Sequence, residues 1–471
     1  MKRILKLGVT LMPVALAACA DTALVRSASA PGAGFALVAD GTRQATGQTG
    51  VWAQSAADIA RTEAQVRALV HRKTIGPDTA VRVALMNNGR LQAAYADLGL
   101  SAADLWEAAL GPVPTLGVGL SGIGEVGLAR SLEATITGAI LDAATAKPRR
   151  AIAEVRFRQA QFAALGATIA LATETREAWI DAVAAFEAAS VIGRAQGTAD
   201  AASELAAELG RTGAMSAGDQ AREHVFAAEL AAERADARLE AQLAKERLTR
   251  LMGLWGTDID YYVPDRLPGL PGRRPGRSDI ERLALDHRTD LAIGRLELEA
   301  IAREYRLEGQ TRRLSDLAIV AGAELERSDT PSGRETEVSP VLDVGFEIPV
   351  YDTGRISHRR GELAYMRAAH DLAQAAVNAR SEARSAHAAV TGKYNIARHW
   401  RDEVLPLRRK IDAESLKSYN GMLSSTFDLI TDAREGLDAE LSYAMAKADF
   451  WRAEAALTAA IWGGQPKGDT E

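Results

Sequence analysis

The residue types that most often carry chemistry are scattered in this sequence. Seven histidines, His71, His224, His287, His358, His370, His387 and His399, include no pair at i, i+4 spacing. Two imidazoles on one helix face need that spacing to share a zinc ion. Cys19 is the only cysteine, so neither an intramolecular disulfide nor a cysteine metal cluster can form. The stretches "GVGLSG" (117–122) and "GIGEVG" (122–127) both satisfy G-x-G-x-x-G. A dinucleotide site needs that motif to open a helix after a strand. Another alternating segment follows here, so the glycines read as a tight bend between strands. No G-x-S-x-G elbow and no Walker loop appears, and the sequence supports neither catalysis nor a cofactor.

Carboxylates on patterned elements are more informative. In "VSPVLDVGFEIPVYDTGR" (338–355), Val338, Pro340, Leu342, Val344, Phe346, Ile348 and Val350 fall on every second position. That period marks a strand with one apolar and one largely polar face. Asp343 and Glu347 lie on the polar face, where a membrane-spanning strand would turn them to a channel lumen.

The elements that position these residues are mostly helical. Hydrophobic residues make up 47% of the chain but aromatics only 5%, with alanine supplying much of the difference. That balance suits long helices in thin layers better than a thick globular core. The net charge of -6 is small for 471 residues and mixed along the chain, so no basic nucleic-acid footprint is present. No later segment holds 18 consecutive apolar residues, and no transmembrane helix is expected.

The N-terminus reads as a targeting segment. Lys2, Arg3 and Lys6 are followed by an apolar stretch from Leu7 to Ala18, too short for a membrane span but suited to a secretory signal. It ends "LAAC", which resembles the bacterial lipobox and would make Cys19 the lipidated first residue of a lipoprotein. Ala20 lacks the aspartate that favours inner-membrane retention in such proteins, which points to the outer membrane.

Self-comparison reveals a duplication. "AVRVALMNNGRLQAA" (80–94) matches "IERLALDHRTDLAIG" (280–294), with Arg82/Arg282, Ala84/Ala284, Leu85/Leu285 and Leu91/Leu291 identical. "LEATITGAILDAATAKPRR" (132–150) matches 342–360 through Leu132/Leu342, Asp142/Asp352, Arg149/Arg359 and Arg150/Arg360. "TGAMS" (212–216) answers "NGMLS" (420–424). The expected organisation is a signal peptide at 1–18, a partly irregular leader at 19–75, repeats at 76–259 and 280–463, a Pro/Gly-rich linker at 260–279, and a polar tail at 464–471. Each repeat reads helix, strand, strand, very long helix, helix. In the first, a helix is expected over 78–110 and another from Asp142 to about Gly210; in the second, strands near 315–326 and 337–350. Phe162, Leu165, Ile169, Ala172, Trp179, Val183 and Phe186 keep a three-four spacing, a coiled-coil seam. Ile430, Leu437, Leu441, Ala444, Ala448 and Trp451 form another. Pro406 inside a helical stretch predicts a kink.

The fold class is therefore mainly α with a small β part, with four amphipathic strands per chain. A lipid-spanning sheet must close, and about eight strands is the lower limit for a barrel. Several chains would have to share one. A pore-less periplasmic coiled-coil lipoprotein, acting as scaffold or adaptor, is the alternative.

The order of elements, "ALMNNGRLQAA" before the first strand, "FEIPVYDTGR" entering the long helix, and "EVLPLRRKIDAESLKSYNGMLSSTFDLITDAREG" (403–436) together resemble the TolC family of outer-membrane factors. The resemblance covers roughly residues 75–463. It implies a homotrimer sharing one 12-stranded transmembrane β-barrel, with helices forming a periplasmic coiled-coil tunnel. Such a channel is the exit duct of tripartite efflux or type I secretion, working with a periplasmic adaptor protein and an inner-membrane pump in the presence of outer-membrane lipids. The resemblance maps the periplasmic tip turns to Gly213 to Ser216 and Gly421 to Ser424. There glycine permits a left-handed backbone and serine caps the next helix. It also places Asp219, Asp428 and Asp432 at the tunnel's constriction, where carboxylate rings attract cations. The second turn departs from the family pattern by one extra residue, and its aspartates stand four apart rather than three. Both spacings share a helix face.

Overall fold

A computed structural model describes residues 21–112, 115–121, 131–272, 279–311, 315–330, 333–347, 355–421 and 423–463. The chain divides into two compact units. One comprises Met1–Ala36, Ala96–Phe162 and Ala292–Gln374; the other Leu37–Tyr95, Ala163–Leu291 and Ala375–Glu471.

The leader is more ordered than its composition predicts. It forms α1 (Thr22–Ala28), α2 (Phe35–Thr46) and α3 (Ala56–Val70). Asp21 caps α1 by accepting from Leu24 N–H at 3.1 Å, and Ser55 caps α3 by accepting from Asp58 N–H at 3.1 Å. In α3 the buried residues Thr62, Val66 and Val70 repeat every fourth position, one helix face. These caps and that stripe outweigh the Gly/Ser/Thr content.

The helix expected over 78–110 is two helices, α4 (Pro77–Asn87) and α5 (Gly89–Leu110). Asn88 breaks them by adopting an extended backbone, and its Oδ1 accepts from Leu91 N–H at 3.1 Å as the cap of α5. The second repeat has the same break at Arg288, between α8 (Ile280–His287) and α9 (Thr289–Thr311), so the duplication extends to the interruption.

Each repeat places its strands next. In the first these are β1 (Thr115–Ser121) and β2 (Ser131–Ala139), followed by α6 (Ile140–Arg211) and α7 (Ala217–Leu251). In the second, β3 (Ser315–Thr330) and β4 (Gly333–Glu347) precede α10 (Arg355–His399), α11 (Leu405–Asn420) and α12 (Thr426–Trp462). The pairing of β3 with β4 runs to Thr330↔Gly333, so most of the stretch 327–336 left between the two expected strands is ladder. Between α10 and α11 lies a π-helical turn, Trp400–Val404, in which Leu405 N–H reaches the Trp400 carbonyl five residues back. Pro406 follows at once, so the predicted distortion takes the form of a widened turn.

The first predicted seam is buried over most of its length, whereas in the second only the two alanines are buried and Ile430, Leu437, Leu441 and Trp451 are half-buried. Leu165, Ile169, Ala172, Trp179 and Val183 are in the core of the second unit, as are Ala444 and Ala448 of α12. The linker is irregular but strapped down: Tyr262 N–H donates to Lys73 O at 2.9 Å and Ile75 N–H to Tyr262 O at 2.9 Å. Tyr261, Leu267 and Leu270 are buried.

Candidate functional site

The first unit carries one four-stranded antiparallel sheet in the order β1-β2-β3-β4. Its register sorts residues by face, because directly opposed residues share a side. One set of rows is apolar over four successive rows, Leu120–Leu132–Leu325–Val338, Val118–Ala134–Ala323–Pro340, Leu116–Ile136–Ala321–Leu342 and Gly138–Ile319–Val344, and turns polar beyond them at Arg327–Thr336 and Asp329–Arg334. The intervening rows are mixed, including Gly119–Glu133–Glu324–Ser339, Glu326 opposite Glu337, and Thr137–Val320–Asp343.

Among the described residues the apolar face is not covered. Leu342 is 75% exposed, Val118 64% and Val344 50%. At ~3.4 Å per residue the four rows span about 20 Å, close to the ~25 Å apolar band of an outer-membrane barrel. β1 and β4 are the edges of this sheet, so two ladders of backbone groups await partners. Asp343 is exposed on the face opposite Val344, the alternation expected from the sequence. Glu347 pairs in register with Ser315 beyond an irregularity between Ser315 and Ala318; its side chain lies outside the described set, as do Ile348 and Val350. "GVGLSG" begins within β1, where Gly117 opposes Thr135 and Gly119 opposes Glu133, and no helix opens there. Residues 122–130 and Cys19 also lie outside the described residues.

The second unit carries the two duplicated helix turns. Gly213 has φ +78°, a left-handed conformation only glycine adopts freely. Ser216 then caps α7, its Oγ accepting from Asp219 N–H at 3.2 Å. Asp219 also accepts from Ser216 Oγ at 2.6 Å and pairs with Arg222 at 2.6 Å. The second turn uses different residues. Gly421 sits at φ -80°, and Ser425, not Ser424, caps α12. The extra residue noted in the sequence shifts the cap by one position. Ser425 and Asp428 form a reciprocal capping box: Asp428 N–H donates to Ser425 Oγ at 3.2 Å and Ser425 N–H to Asp428 Oδ2 at 3.1 Å. The hydrogen bonds from Ser425 hold the Asp428 carboxyl below its ordinary range.

Asp432, one turn further along α12, accepts a hydrogen bond from Ser415 Oγ of α11. Asp412 stands beside it. Burial pushes the Asp412 carboxyl up, and the Asp432 charge adds to this against Arg408. Asp412 Oδ1 is buried without a hydrogen-bond partner. A Cβ at Gly436 would lie 3.0 Å from Asp412 Oδ2, so the two helices approach closely there. Asp428 and Asp432 are thus not equivalent: one closes a helix end, the other joins two helices.

The two turns face one cavity of about 730 Å³, lined by Met215, Asp219, Glu223, Tyr419, Asn420 and Ser424 among others. The sequence reading singled out neither Glu223 nor Asp412. Glu223 had a signal: it precedes Leu230 and Ala237 by heptad steps on the buried face of α7, so it is a charge in a core position. Asp412 had none, since its burial comes from tertiary approach. Among the described residues no group of three or more His, Cys, Asp or Glu is placed to hold a metal ion. No described helix is long and apolar enough to cross a membrane.

No protein-family model matches the sequence, and no curated protein matches it. Solved structures do match. The outer membrane channel CmeC of Campylobacter jejuni superimposes with a TM-score of 0.66 at 15% identity, over 83% of this chain and 87% of that one. VceC, an outer membrane protein of Vibrio cholerae, gives 0.64 at 16% identity over 86% and 98%. The open-state outer membrane channel MtrE of Neisseria gonorrhoeae gives 0.62 at 17% identity over 83% and 90%. The chain has the fold of these outer-membrane channels: long helices joined to a small antiparallel sheet. The resemblance drawn from the sequence holds at the level of the fold.

Proposed function

We propose that this chain, which shares its fold with outer-membrane channels, is itself an outer-membrane exit duct. The carrying observation is the sheet, with one face apolar over four successive register rows and, among the described residues, both edge strands unpaired. Hydrocarbon tolerates no open edge, so such a sheet can span lipid only by pairing with other copies. Three chains of four strands give twelve, enough for a closed barrel with a water-filled lumen. In this reading the acidic face, with Glu324, Glu326, Glu337 and Asp343, lines the lumen.

The tunnel helices would carry cargo from the periplasm or from a pump, in tripartite efflux or type I secretion. A periplasmic adaptor and an inner-membrane pump supply the energy and the selection. Lipidation at Cys19 would add an anchor. The constriction would be built from the carboxylates beside the two turns, Asp219, Asp428 and Asp432. The reading as a pore-less scaffold leaves the four-row apolar band of the sheet without a purpose.

The test is single-channel recording from the purified full chain in planar bilayers, with oligomeric mass measured in parallel. Discrete conductance steps from a trimer are expected. A folded trimer that never opens a pore would sink the proposal.

A further inference from the structure

We infer that a cavity within the second unit is a binding site for a small aromatic amine, held by the Glu454 carboxylate beside the ring of Trp451. The cavity measures about 310 Å³, and every residue that lines it belongs to that unit. One wall is α12, which contributes Trp451, Glu454, Ala455 and Thr458. These stand at i, i+3, i+4 and i+7, a single helix face. A second wall is α6, where Thr173, Arg176 and Ile180 likewise share a face. Beside the cavity Arg452 Nε donates to Asp181 Oδ1 at 2.6 Å and clamps α12 to α6. Pro77 of α4 and Pro268 of the linker complete the lining with the end of α2.

Glu454 is the charge left over. Arg176 pairs with Asp78 at 2.6 Å, and Arg452 with Asp181 at 2.6 Å and Asp449 at 2.7 Å. Glu454 is half-buried and has no ion pair among the described residues. Its neighbours on the same helix face decide what would satisfy it. Thr458, four residues on, carries a hydroxyl, and Trp451, three residues back, carries an indole. Both indole N–H groups at the cavity are already bonded: Trp451 Nε1 donates to Pro268 O at 3.0 Å and Trp179 Nε1 to Ile75 O at 2.9 Å. The Trp451 ring is therefore left with apolar and π surface, which attracts a cation. An ammonium group brings three donors, enough for the carboxylate and the hydroxyl together. All three side chains lie within about one turn of Glu454 on one face, so one ligand of a ring's length reaches them.

The body of the ligand follows from the rest of the lining. Pro77 and Trp451 are half-buried and Pro268 is exposed, so apolar ring surface remains open there. A cavity of about 310 Å³ is at the small end for ligand pockets and suits one aromatic ring with a short amine arm. A dehydrated divalent metal does not suit it. Among the described residues Glu454 is the only carboxylate in the lining, and such ions take several oxygen ligands. An anion would meet an arginine already engaged by Asp78 and a carboxylate that repels it. Because α6 and α12 belong to different repeats, the bound amine would join the two. The binding does not depend on the channel reading.

The experiment uses the detergent-solubilised full chain and phenethylammonium chloride as the probe, followed by calorimetry. Saturable binding at one site per chain is expected. Phenethyl alcohol, with the same ring and no charge, should bind at least about tenfold more weakly, the scale of a charge-assisted hydrogen bond. Glu454→Gln should weaken the amine by about the same factor and leave the alcohol unchanged, a difference that a misfolded variant would not produce. The exposed Glu233→Gln should alter neither. No saturable binding of the amine to the wild type overturns the inference, as does undiminished binding by Glu454→Gln. Equal loss of amine and alcohol in that variant also overturns it, because Glu454 would then shape the cavity without binding the charge. So does hydrocinnamate binding as tightly as the amine, which would assign the cavity to Arg176 and an anion. Single-channel recording from the same preparation separates the two claims: pores without amine binding defeat only this inference, whereas a folded trimer without pores defeats only the channel reading.

Discussion

Lys447 Nζ donates to Glu187 Oε1 at 2.8 Å with both side chains buried, joining α12 of the second repeat to α6 of the first across 260 residues of sequence. The other oxygen, Glu187 Oε2, accepts from Leu267 N–H at 3.0 Å. One carboxylate therefore fixes both repeats and the linker between them.

Removing only the cation should leave that carboxylate buried and uncompensated. Lys447→Met is expected to cost about 3–5 kcal/mol, the range for breaking a buried pair. Adding Glu187→Gln should recover much of the loss, because the amide oxygen can still accept from Leu267. Thermal unfolding of the single and double variants checks this, and a double variant no more stable than the single one would contradict it.

The sheet makes a prediction about sides. Leu342 shares a row with Leu116, Ile136 and Ala321, and Val341 shares one with Gly117, Thr135 and Gly322. Leu342→Arg puts a charge on the lipid face and should cost about 2–4 kcal/mol near the bilayer midplane. Val341→Arg, one residue away, should assemble nearly as well as the wild type. The measurement is the yield of heat-resistant oligomer in outer-membrane fractions. Equal yields would place the sheet outside the bilayer.

The two turns should respond differently to the same substitution. Gly213→Ala forces a Cβ into a left-handed backbone, with an expected loss of about 1–2 kcal/mol. Gly421→Ala should change stability little, since its φ is -80° and the nearest atom to a new Cβ is Lys417 O at 3.4 Å. Amide exchange in the first turns of α7 and α12 separates these effects. Comparable losses at both sites would show that the turns are closer in conformation than described.

Much of this was legible in the sequence because it is periodic. The strands follow from alternation over 338–347, and the first seam from Ile169, Ala172, Trp179 and Val183 at heptad steps. The duplicated alternation made four amphipathic strands per chain readable before any comparison with known folds. What was missed depended on single side chains or on tertiary approach. Asn88 and Arg288 break a helical pattern through backbone conformation that composition does not encode. Ser424 and Ser425 are adjacent and chemically identical, so only the register of α12 decides which one caps it. The Asp412–Asp432 pair arises where α11 and α12 close over Gly436, a contact no local pattern announces.

The constriction assignment is testable through charge. If Asp428 and Asp432 face the pore, replacing both with alanine should raise conductance or weaken cation selectivity. Asp428→Ala also removes half of a capping box, so Asp432→Asn alone is the cleaner variant. Unchanged conductance and selectivity in both would remove these residues from the constriction.

Asp412 gives the pH prediction, and its sign follows from burial. Its carboxyl is raised in the folded chain by desolvation first and by Asp432 next, with Arg408 opposing and Glu440 adding. The folded state therefore holds a proton on Asp412 more readily than the unfolded state does. By linkage this site gains stability as pH falls through the raised folded value, and the gain is complete below the unfolded value near 4. The neighbours cannot easily cancel the effect, because Arg408 is paired with Glu435 and Glu440 with Arg194. Asp412→Asn should mimic the protonated form, stabilising the α11–α12 contact at neutral pH and flattening its response to mild acid. Exchange rates of amides in 412–436, measured from pH 7.5 down to 5, provide the readout. If Asp412→Asn exchanges faster than the wild type at neutral pH, the buried carboxylate is supporting that contact and the sign assigned to it is wrong.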